Sequence, residues 1–282
     1  MSSHCKRVTR PWRRYLRLSM RTFIVVVLLV GGWLGWIVRT ARIQREEVAA
    51  ITRRGGVVEY DSGWTDNQTL QPQNPGALDR LVSAIGVDYF SNATVVYIGM
   101  LCTEEKMSHV TKLTALRSLS LRTTRPANGA LAHLNGLTKL SELDLGFATI
   151  CDADLAHLER MGNLSKLDLG VTDVTDAGLI HLKGLTNLSN LNLTATHITD
   201  QGLIHLRGLK NLSTLNLGGT LVTDAGLIHL KGLTSLTTLD LVGTAVTDAG
   251  MKRLKQALPR LTISHSFRLP PDALEFLSGL YW

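Results

Sequence analysis

Residues 164–193 read LSKLDLGVTDVTDAGLIHLKGLTNLSNLNL, and the last six residues repeat the pattern of the first six. Leu-x-Leu pairs stand at 119/121, 143/145, 167/169, 191/193, 215/217 and 239/241, always 24 residues apart. Val96-Tyr97-Ile98 reads as a degenerate earlier copy, one residue out of step, and Leu261-Thr262-Ile263 as a degenerate last one. A fixed period of this length marks stacked supersecondary units. Within one unit, Leu167 and Leu169 point inward and Asp168 outward, the alternation of a strand. Gly170 to Val174 turn the corner. Thr172, Thr196, Thr220 and Thr244 share one corner position, where a buried hydroxyl must bond turn backbone or cost about 1–3 kcal/mol. Thr175-Asp176 opens a short helix, both being N-cap residue types. Leu179, Leu182 and Leu185 follow at intervals of three and bury one helix face. Gly184 stands where a left-handed C-cap is wanted. One unit cannot bury its own leucines, so its neighbours must supply the core. The expected fold is an α/β solenoid over 93–265, with a parallel sheet on the concave side and short helices on the convex side.

The rest of the chain must be fitted around that array. Of 282 residues, 44% are hydrophobic and 19% charged, which excludes a disordered chain and one mostly embedded in membrane. The net charge of +7 is local: residues 1–21 hold seven Lys/Arg and no acid, and the remainder carries 23 basic and 23 acidic side chains. A basic nucleic-acid-binding domain is therefore excluded. Residues 22–38 (TFIVVVLLVGGWLGWIV) contain no charge. Seventeen helical residues reach about 25 Å, slightly short of the roughly 30 Å hydrocarbon core. Snorkelling of Arg21 and Arg39 covers the difference. Trp36 to Arg39 offer no small-residue cleavage site, so the segment reads as an uncleaved transmembrane anchor. The positive-inside rule puts the 1–21 tail in the cytoplasm and the repeats outside it, in the periplasm of a bacterium or the lumen or exterior of a eukaryote.

Residues 39–54 read as a juxtamembrane helix stopped by Gly55-Gly56, and 57–60 as a short strand. Residues 61–76 read as a loop, and 77–85 show helical spacing of apolar residues. Together, 39–92 form an N-terminal cap. Residues 266–282 form a C-terminal cap helix that covers the open end of the array. Six Asn-x-Ser/Thr sequons, at Asn67, Asn92, Asn163, Asn187, Asn192 and Asn211, read as by-products of a repeat rich in those residue types.

Two arrangements invite chemistry. Histidines 109, 133, 157, 181, 205 and 229 recur every 24 residues. Neighbouring helices lie about 8–10 Å apart, too far for imidazoles to share one ion at about 2.0–2.1 Å. The row reads as a surface position copied by duplication; a pH response near 6 is the weaker reading. The outward residues of the strands form the second arrangement. Its central row is Ser120, Asp144, Asp168, Asn192, Asn216 and Asp240. Ser118, Glu142, Lys166, Asn190, Thr214 and Thr238 flank it on one side. Arg122, Gly146, Gly170, Thr194, Gly218 and Val242 flank it on the other. Adjacent carboxylates can do acid–base work or hold calcium. With no pocket evident, no phosphate loop and no nucleophile elbow, a solvated row is the better reading. Cys5, Cys102 and Cys151 fit neither a zinc site nor a redox pair. The candidate ligand-binding residues are Arg122, Glu142, Asp144, Phe147, Lys166, Asp168, Asn192, Asn216 and Asp240.

The recurring V/I-T-D-A/Q-G-L, as in Val174–Leu179, Ile198–Leu203 and Val222–Leu227, resembles the leucine-rich repeats of F-box proteins and their bacterial relatives. The basic tail, one span and the Ala50-Ile51…Gly55-Gly56 junction resemble bacterial single-span leucine-rich-repeat proteins. That resemblance implies protein binding and a place in a bacterial cell envelope. The expected function is a non-enzymatic, membrane-anchored binding module displayed outside the cytoplasm, without metal or cofactor. Its partner is a protein or polar ligand on the concave face, and residues 22–38 engage the bilayer. A structural scaffold and a cytosolic adaptor of F-box type are the alternatives.

Overall fold

In a computed structural model the chain is described over residues 20–60, 93–98, 104–126 and 129–265. It divides at Arg42/Ile43 into two compact units. The expected loop at 61–76, the helical spacing at 77–85 and the C-terminal cap at 266–282 lie outside the described residues.

The first unit holds the start of helix α1 (Met20–Thr52), one helix of 33 residues with no break after 38. Its side chains Leu28, Leu29, Trp33 and Trp36 are exposed. Among the described residues, no helix is long and apolar enough to cross a membrane. The span expected at 22–38 therefore has no support from the structure and rests on the sequence.

The second unit is the repeat array. The last turns of α1 bury Val48 and Ile51 in its core, beside Val58. Gly55 ends the helix at φ 79, a conformation that favours glycine. Gly56 then passes so close to Ile51 that a Cβ would sit 2.5 Å from Ile51 Cγ2 and 3.2 Å from the Tyr97 carbonyl oxygen. The paired glycines thus fold strand β1 (Val57–Tyr60) back against the array.

Nine strands form one sheet in sequence order. They are β1, β2 (Ala93–Tyr97), β3 (Ser118–Ser120), β4 (Glu142–Asp144), β5 (Lys166–Asp168), β6 (Asn190–Asn192), β7 (Thr214–Asn216), β8 (Thr238–Asp240) and β9 (Thr262–Ser264). β1 pairs antiparallel to β2; all later pairs are parallel. Leu119, Leu143, Leu167, Leu191, Leu215 and Leu239 stack in register, and Val96 joins them through Leu119. The last copy differs from expectation. Ile263, not Leu261, pairs with Leu239. Leu261 instead closes the preceding turn, donating its N–H to Leu258 as Leu236 does to Leu233.

The side opposite the sheet is mostly 3₁₀ helix: Ala130–Gly136, Ala156–Leu158, Gly178–Leu182, Gly202–Gly208 and Gly226–His229. Regular α-helix occurs there only in α2 (Glu104–Val110), α3 (Asp152–Leu155) and α4 (Asp248–Ala257) among the described residues. The reason lies in the leucine spacing. Leu179, Leu182, Leu185 and Leu188 recur every three residues, the period of a 3₁₀ turn. All four are fully buried. Leu185 and Leu188 each bond the carbonyl of the leucine three residues back.

The threonine of Thr-Asp caps as the sequence implied: Thr247 Oγ1 accepts Gly250 N–H at the start of α4, and Thr175, Thr199 and Thr223 accept the N–H two residues on. The aspartate has a different task. Asp176 reaches into the next unit, accepting Thr199 N–H at 2.8 Å and Thr199 Oγ1–H at 2.5 Å. Asp152 holds Thr175, Asp200 holds Thr223 and Asp224 holds Thr247 in the same way. The glycine of the motif completes the device. A Cβ on Gly178, Gly202, Gly226 or Gly250 would fall on the aspartate carboxylate of the preceding unit, nearer than the 3.0 Å floor for real Cβ contacts. Thr-Asp-x-Gly is therefore one inter-repeat clasp. A second ladder uses the buried corner threonines. Thr172, Thr196, Thr220 and Thr244 each donate to the carbonyl three residues back, as expected, and Thr124 does the same. Asn163, Asn187 and Asn211 of the sequons donate their amides to the preceding turn. Their side chains thus join the stack.

Candidate functional site

The strand register delivers the outward rows. Tyr97, Ser120, Asp144, Asp168, Asn192, Asn216, Asp240 and Ser264 line up across β2 to β9. Parallel neighbours lie about 4.7–4.9 Å apart, so successive side chains in the row touch or share partners. The polar character of this row has a local cause. Each side-chain oxygen accepts the backbone N–H two residues on: Asp144 from Gly146 at 2.9 Å, Asp168 from Gly170 at 2.8 Å, Asn192 from Thr194 at 3.0 Å, Asn216 from Gly218 at 3.0 Å and Asp240 from Val242 at 2.9 Å. These bonds bend the chain out of the strand, a habit of Asp and Asn. One oxygen of each of these five residues is thus committed to the fold.

The site begins with the contacts this row makes beyond its turns. Ser120 Oγ donates to Asp144 Oδ2 at 3.1 Å, and Asn192 Nδ2 donates to Asp168 Oδ1 at 2.8 Å. Arg122 stands between the two carboxylates, 3.8 Å from Asp144 and 3.7 Å from Asp168. Its guanidinium lies over the Phe147 ring at 4.6 Å, a cation–π placement. Gly146 makes room for this arrangement, since a Cβ there would meet Arg122 Nη1 at 2.9 Å. On the other flank Lys166 pairs with Glu142 at 2.5 Å. Both pairs are substantially exposed, so they orient side chains more than they stabilise the fold.

Around these groups lies an open cavity of about 470 Å³. Glu142, Asp144, Lys166, Asp168, Asn192 and Asn216 line it, together with Tyr97, Ser118, Ser120, Asn190 and Thr214. Of the sequence candidates, Arg122, Phe147 and Asp240 do not line it; the first two sit on its rim beside Gly146. The pocket that the sequence did not reveal is made by small side chains between larger ones. Tyr97 was missed as a site residue because its strand is one residue out of step; the Val96–Leu119 pairing places it in the central row. Its phenol is pushed above the ordinary tyrosine value by burial and then by Glu59, Glu142 and Asp144. It therefore stays a hydrogen-bond donor at neutral pH.

The rim carries a further row that the pattern concealed. Thr123, Phe147, Val171 and Ala195 adopt φ between 50 and 59, and Gly219 and Gly243 continue the row at 68 and 73. Such values are rare for side chains with a Cβ and costly for β-branched ones. The position is held because its N–H bonds the next unit, as Phe147 does to Gly170 and Val171 to Thr194.

The histidines do not form one row of identical contacts. His109 Nδ1 meets the buried Glu47 carboxylate, which also takes Lys112 Nζ at 2.7 Å. Burial opposes ionisation of Glu47, but the hydrogen bonds from Lys112 and His109 hold its carboxyl below the usual range. His181 pairs with Glu159 at 2.6 Å, and Arg207 Nε donates to His229 Nδ1 at 3.1 Å. His205 Nδ1 is buried without a partner among the described residues. Among those residues, no three His, Cys, Asp or Glu come close enough to hold a metal ion.

No family model and no curated protein matches the chain. Solved structures do. An internalin C2 (inlC2) from Listeria monocytogenes str. 4b F2365 superimposes with a TM-score of 0.51 at 25% identity, over 62% of this chain and 81% of that one. An internalin (inlF) of the same strain matches at 26% identity with a TM-score of 0.47, over 58% of this chain and 51% of that one. This chain therefore spans about half the length of the second protein. The chain is a leucine-rich-repeat protein. In that leucine-rich-repeat array, the leucines fill the stack, the Thr-Asp-x-Gly clasp locks unit to unit, and the outward rows are free to vary.

Proposed function

We propose that this leucine-rich-repeat protein is a non-enzymatic binding module whose partner, a protein, meets the sheet face at the cavity over β2 to β7. The observation that carries this reading is the cavity itself. It lies where the outward rows change from one repeat to the next, while the clasp and corner positions stay fixed. Tyr97 supplies an aromatic anchor at one end, and Tyr is a residue type on which binding energy concentrates. Glu142, Lys166, Asp144, Asp168 and Arg122 supply paired charges that favour orientation and specificity over raw affinity. The chemistry is polar and the side chains small, which suits a reversible contact.

Display outside the cytoplasm, attached through residues 22–38, belongs to the same proposal. Its support is the uncharged run and the seven basic residues before it. Protease accessibility of a C-terminal tag, in intact and in osmotically opened cells, tests it. A tag protected on the cytoplasmic side sinks that orientation and raises the F-box-like adaptor in its place.

The sheet-face reading is tested by a variant that leaves the fold intact. Alanine is unsuitable at Asp144 and Asp168, because it deletes the turn bonds to Gly146 and Gly170. Asp144→Asn/Asp168→Asn with Arg122→Gln keeps an acceptor at each turn and removes the charges. It is expected to melt within a few degrees of wild type and to lose the species that wild type captures from cell membranes. Undiminished capture of that species assigns binding to another surface.

A further inference from the structure

The side opposite the sheet has its own pattern, and neither the clasp nor the core requires it. Residues three apart are eclipsed in a 3₁₀ turn. Ala177, Ile180 and Lys183 therefore share one line, as do Gln201, Ile204 and Arg207, and Ala225, Ile228 and Lys231. All nine are exposed. The isoleucines leave 47%, 39% and 57% of their surface in water. Helix α4 continues the cationic column with exposed Lys252 and Lys255.

The nearest acids keep their charge, but none is ion-paired with a lysine of this column among the described residues. Asp176, Asp200 and Asp224 are half-buried while they hold Thr199, Thr223 and Thr247, Asp224 also takes Arg253 at 2.9 Å, and Asp248 is exposed at the start of α4. Glu159 pairs with His181. Lys183, Lys231, Lys252 and Lys255 have no ion-pair or hydrogen-bond partner among the described residues. The result is a ridge with a line of isoleucines beside a line of cations.

Two kinds of partner could take an apolar and basic ridge: an acidic protein or an anionic lipid surface. The composition separates them. Protein interfaces are depleted in lysine and lean on Trp, Tyr and Phe. This ridge has four lysines and no aromatic side chain. Aliphatic side chains flanked by lysines are what an interfacial segment presents. The isoleucines enter the acyl boundary, while the lysine stems lie along it and carry their ammonium groups to the phosphates. We infer that the ridge from Ala177 to Lys255 docks on a membrane surface rich in anionic lipid, leaving the sheet-face cavity turned away from the bilayer.

The test uses the full chain with Cys5, Cys102 and Cys151 changed to serine and Gln201→Cys labelled with an environment-sensitive dye. A second protein carries the same label at Asn190, in the sheet-face cavity. Each is mixed with vesicles of phosphatidylcholine alone or with one part in three of phosphatidylglycerol. Because the readout is local to the label, insertion of residues 22–38 does not produce it. The expected result is a blue shift at 201 with phosphatidylglycerol, quenched by a lipid-borne quencher, and none at 190. Each cation near an anionic surface contributes about fivefold in affinity, so Lys183→Glu/Lys231→Glu/Lys255→Glu should weaken the response by about a hundredfold or more. No shift at 201, an equal shift with phosphatidylcholine alone, or a shift at 190 overturns the inference. An equal shift with soluble polyglutamate assigns the ridge to an acidic protein and also overturns it.

Discussion

Replacing Gly202 with alanine isolates the clasp between repeats. The new Cβ would land on Asp176 Oδ1, with Asp176 Cγ at 3.0 Å and Ile198 Cγ2 at 3.2 Å. Asp176 cannot simply swing away, because both of its oxygens hold Thr199. Moving it loosens two hydrogen bonds to an ionised group, each worth about 1.5–3 kcal/mol. Part of that is recovered through water at this half-buried site, which leaves a net cost of about 2–4 kcal/mol. For an array of this size, each kcal/mol lowers Tm by about 2–4 °C, so a fall of about 5–15 °C is expected. The decisive arm is a double-mutant cycle followed by circular dichroism in urea and on heating. Asp176→Ala alone strands Thr199 N–H and costs a similar amount, but it empties the space the new methyl needs. Gly202→Ala on that background should then cost nothing, or gain the few tenths that alanine brings to a helical turn. The coupling should be about 2 kcal/mol or more. A Gly202→Ala protein within about 0.5 kcal/mol of wild type refutes the reasoning. So does a penalty that persists undiminished beside Asp176→Ala.

The other predictions follow from single contacts. Thr196→Val removes the buried hydroxyl that serves the Leu193 carbonyl and should cost about 1 kcal/mol by chemical denaturation; no loss would mean that water replaces the bond. Val171→Asn keeps the left-handed corner with a residue that tolerates it, and should gain about 1 kcal/mol on the same assay, whereas a loss would show that Val171 packs more than it strains. His205 and His229 are held below the ordinary value of 6.5, by burial first and then by Lys183 and Arg207. The fold therefore binds fewer protons at these sites than the unfolded chain does. Their contribution is complete above pH 6.5 and is lost as the pH falls toward their folded values. Tm should be lower at pH 5.5 than at 7.5, with the difference reduced in His205→Gln/His229→Gln. Glu47 works lower on the scale: its contribution is full above its ordinary 4.5 and disappears as the pH drops through its folded value, and Glu47→Gln should remove that step.

Much of this could be read from the residues because a repeat shows its structure many times over. The 24-residue interval settles the strands, their order and which leucines face in. The corner threonines were legible because a hydroxyl at a buried turn has only the backbone to bond. The clasp was not. Thr and Asp side by side carry the signature of an N-cap, and within one unit nothing contradicts it; the aspartate's partner lies 23 residues away, in a neighbour that only stacking brings close. The need for glycine at 178 and its equivalents is hidden for the same reason, since the carboxylate that excludes a Cβ belongs to the preceding unit. The site was half legible. Register gave Glu142, Asp144, Lys166, Asp168, Asn192 and Asn216 as one surface. Tyr97 escaped because the first copy is offset by one residue. The left-handed rim escaped too, since Thr, Phe, Val and Ala do not announce such a conformation. The turn bonds of Asp144 and Asp168 have a local signal in Asp-x-Gly that went unread, and they decide which substitutions can test the site.

Site-directed photo-crosslinking from the sheet face tests the central claim most directly. A benzophenone side chain replaces Asn190, within the cavity, and in a second protein Asp173, exposed on a corner outside it. Both full-length proteins are expressed in the native cell and irradiated. A binding module of the kind proposed yields a discrete protein adduct from position 190, absent from position 173, that disappears with Asp144→Asn/Asp168→Asn and Arg122→Gln. No adduct at 190, or the same adduct from both positions, contradicts the sheet face as the binding surface.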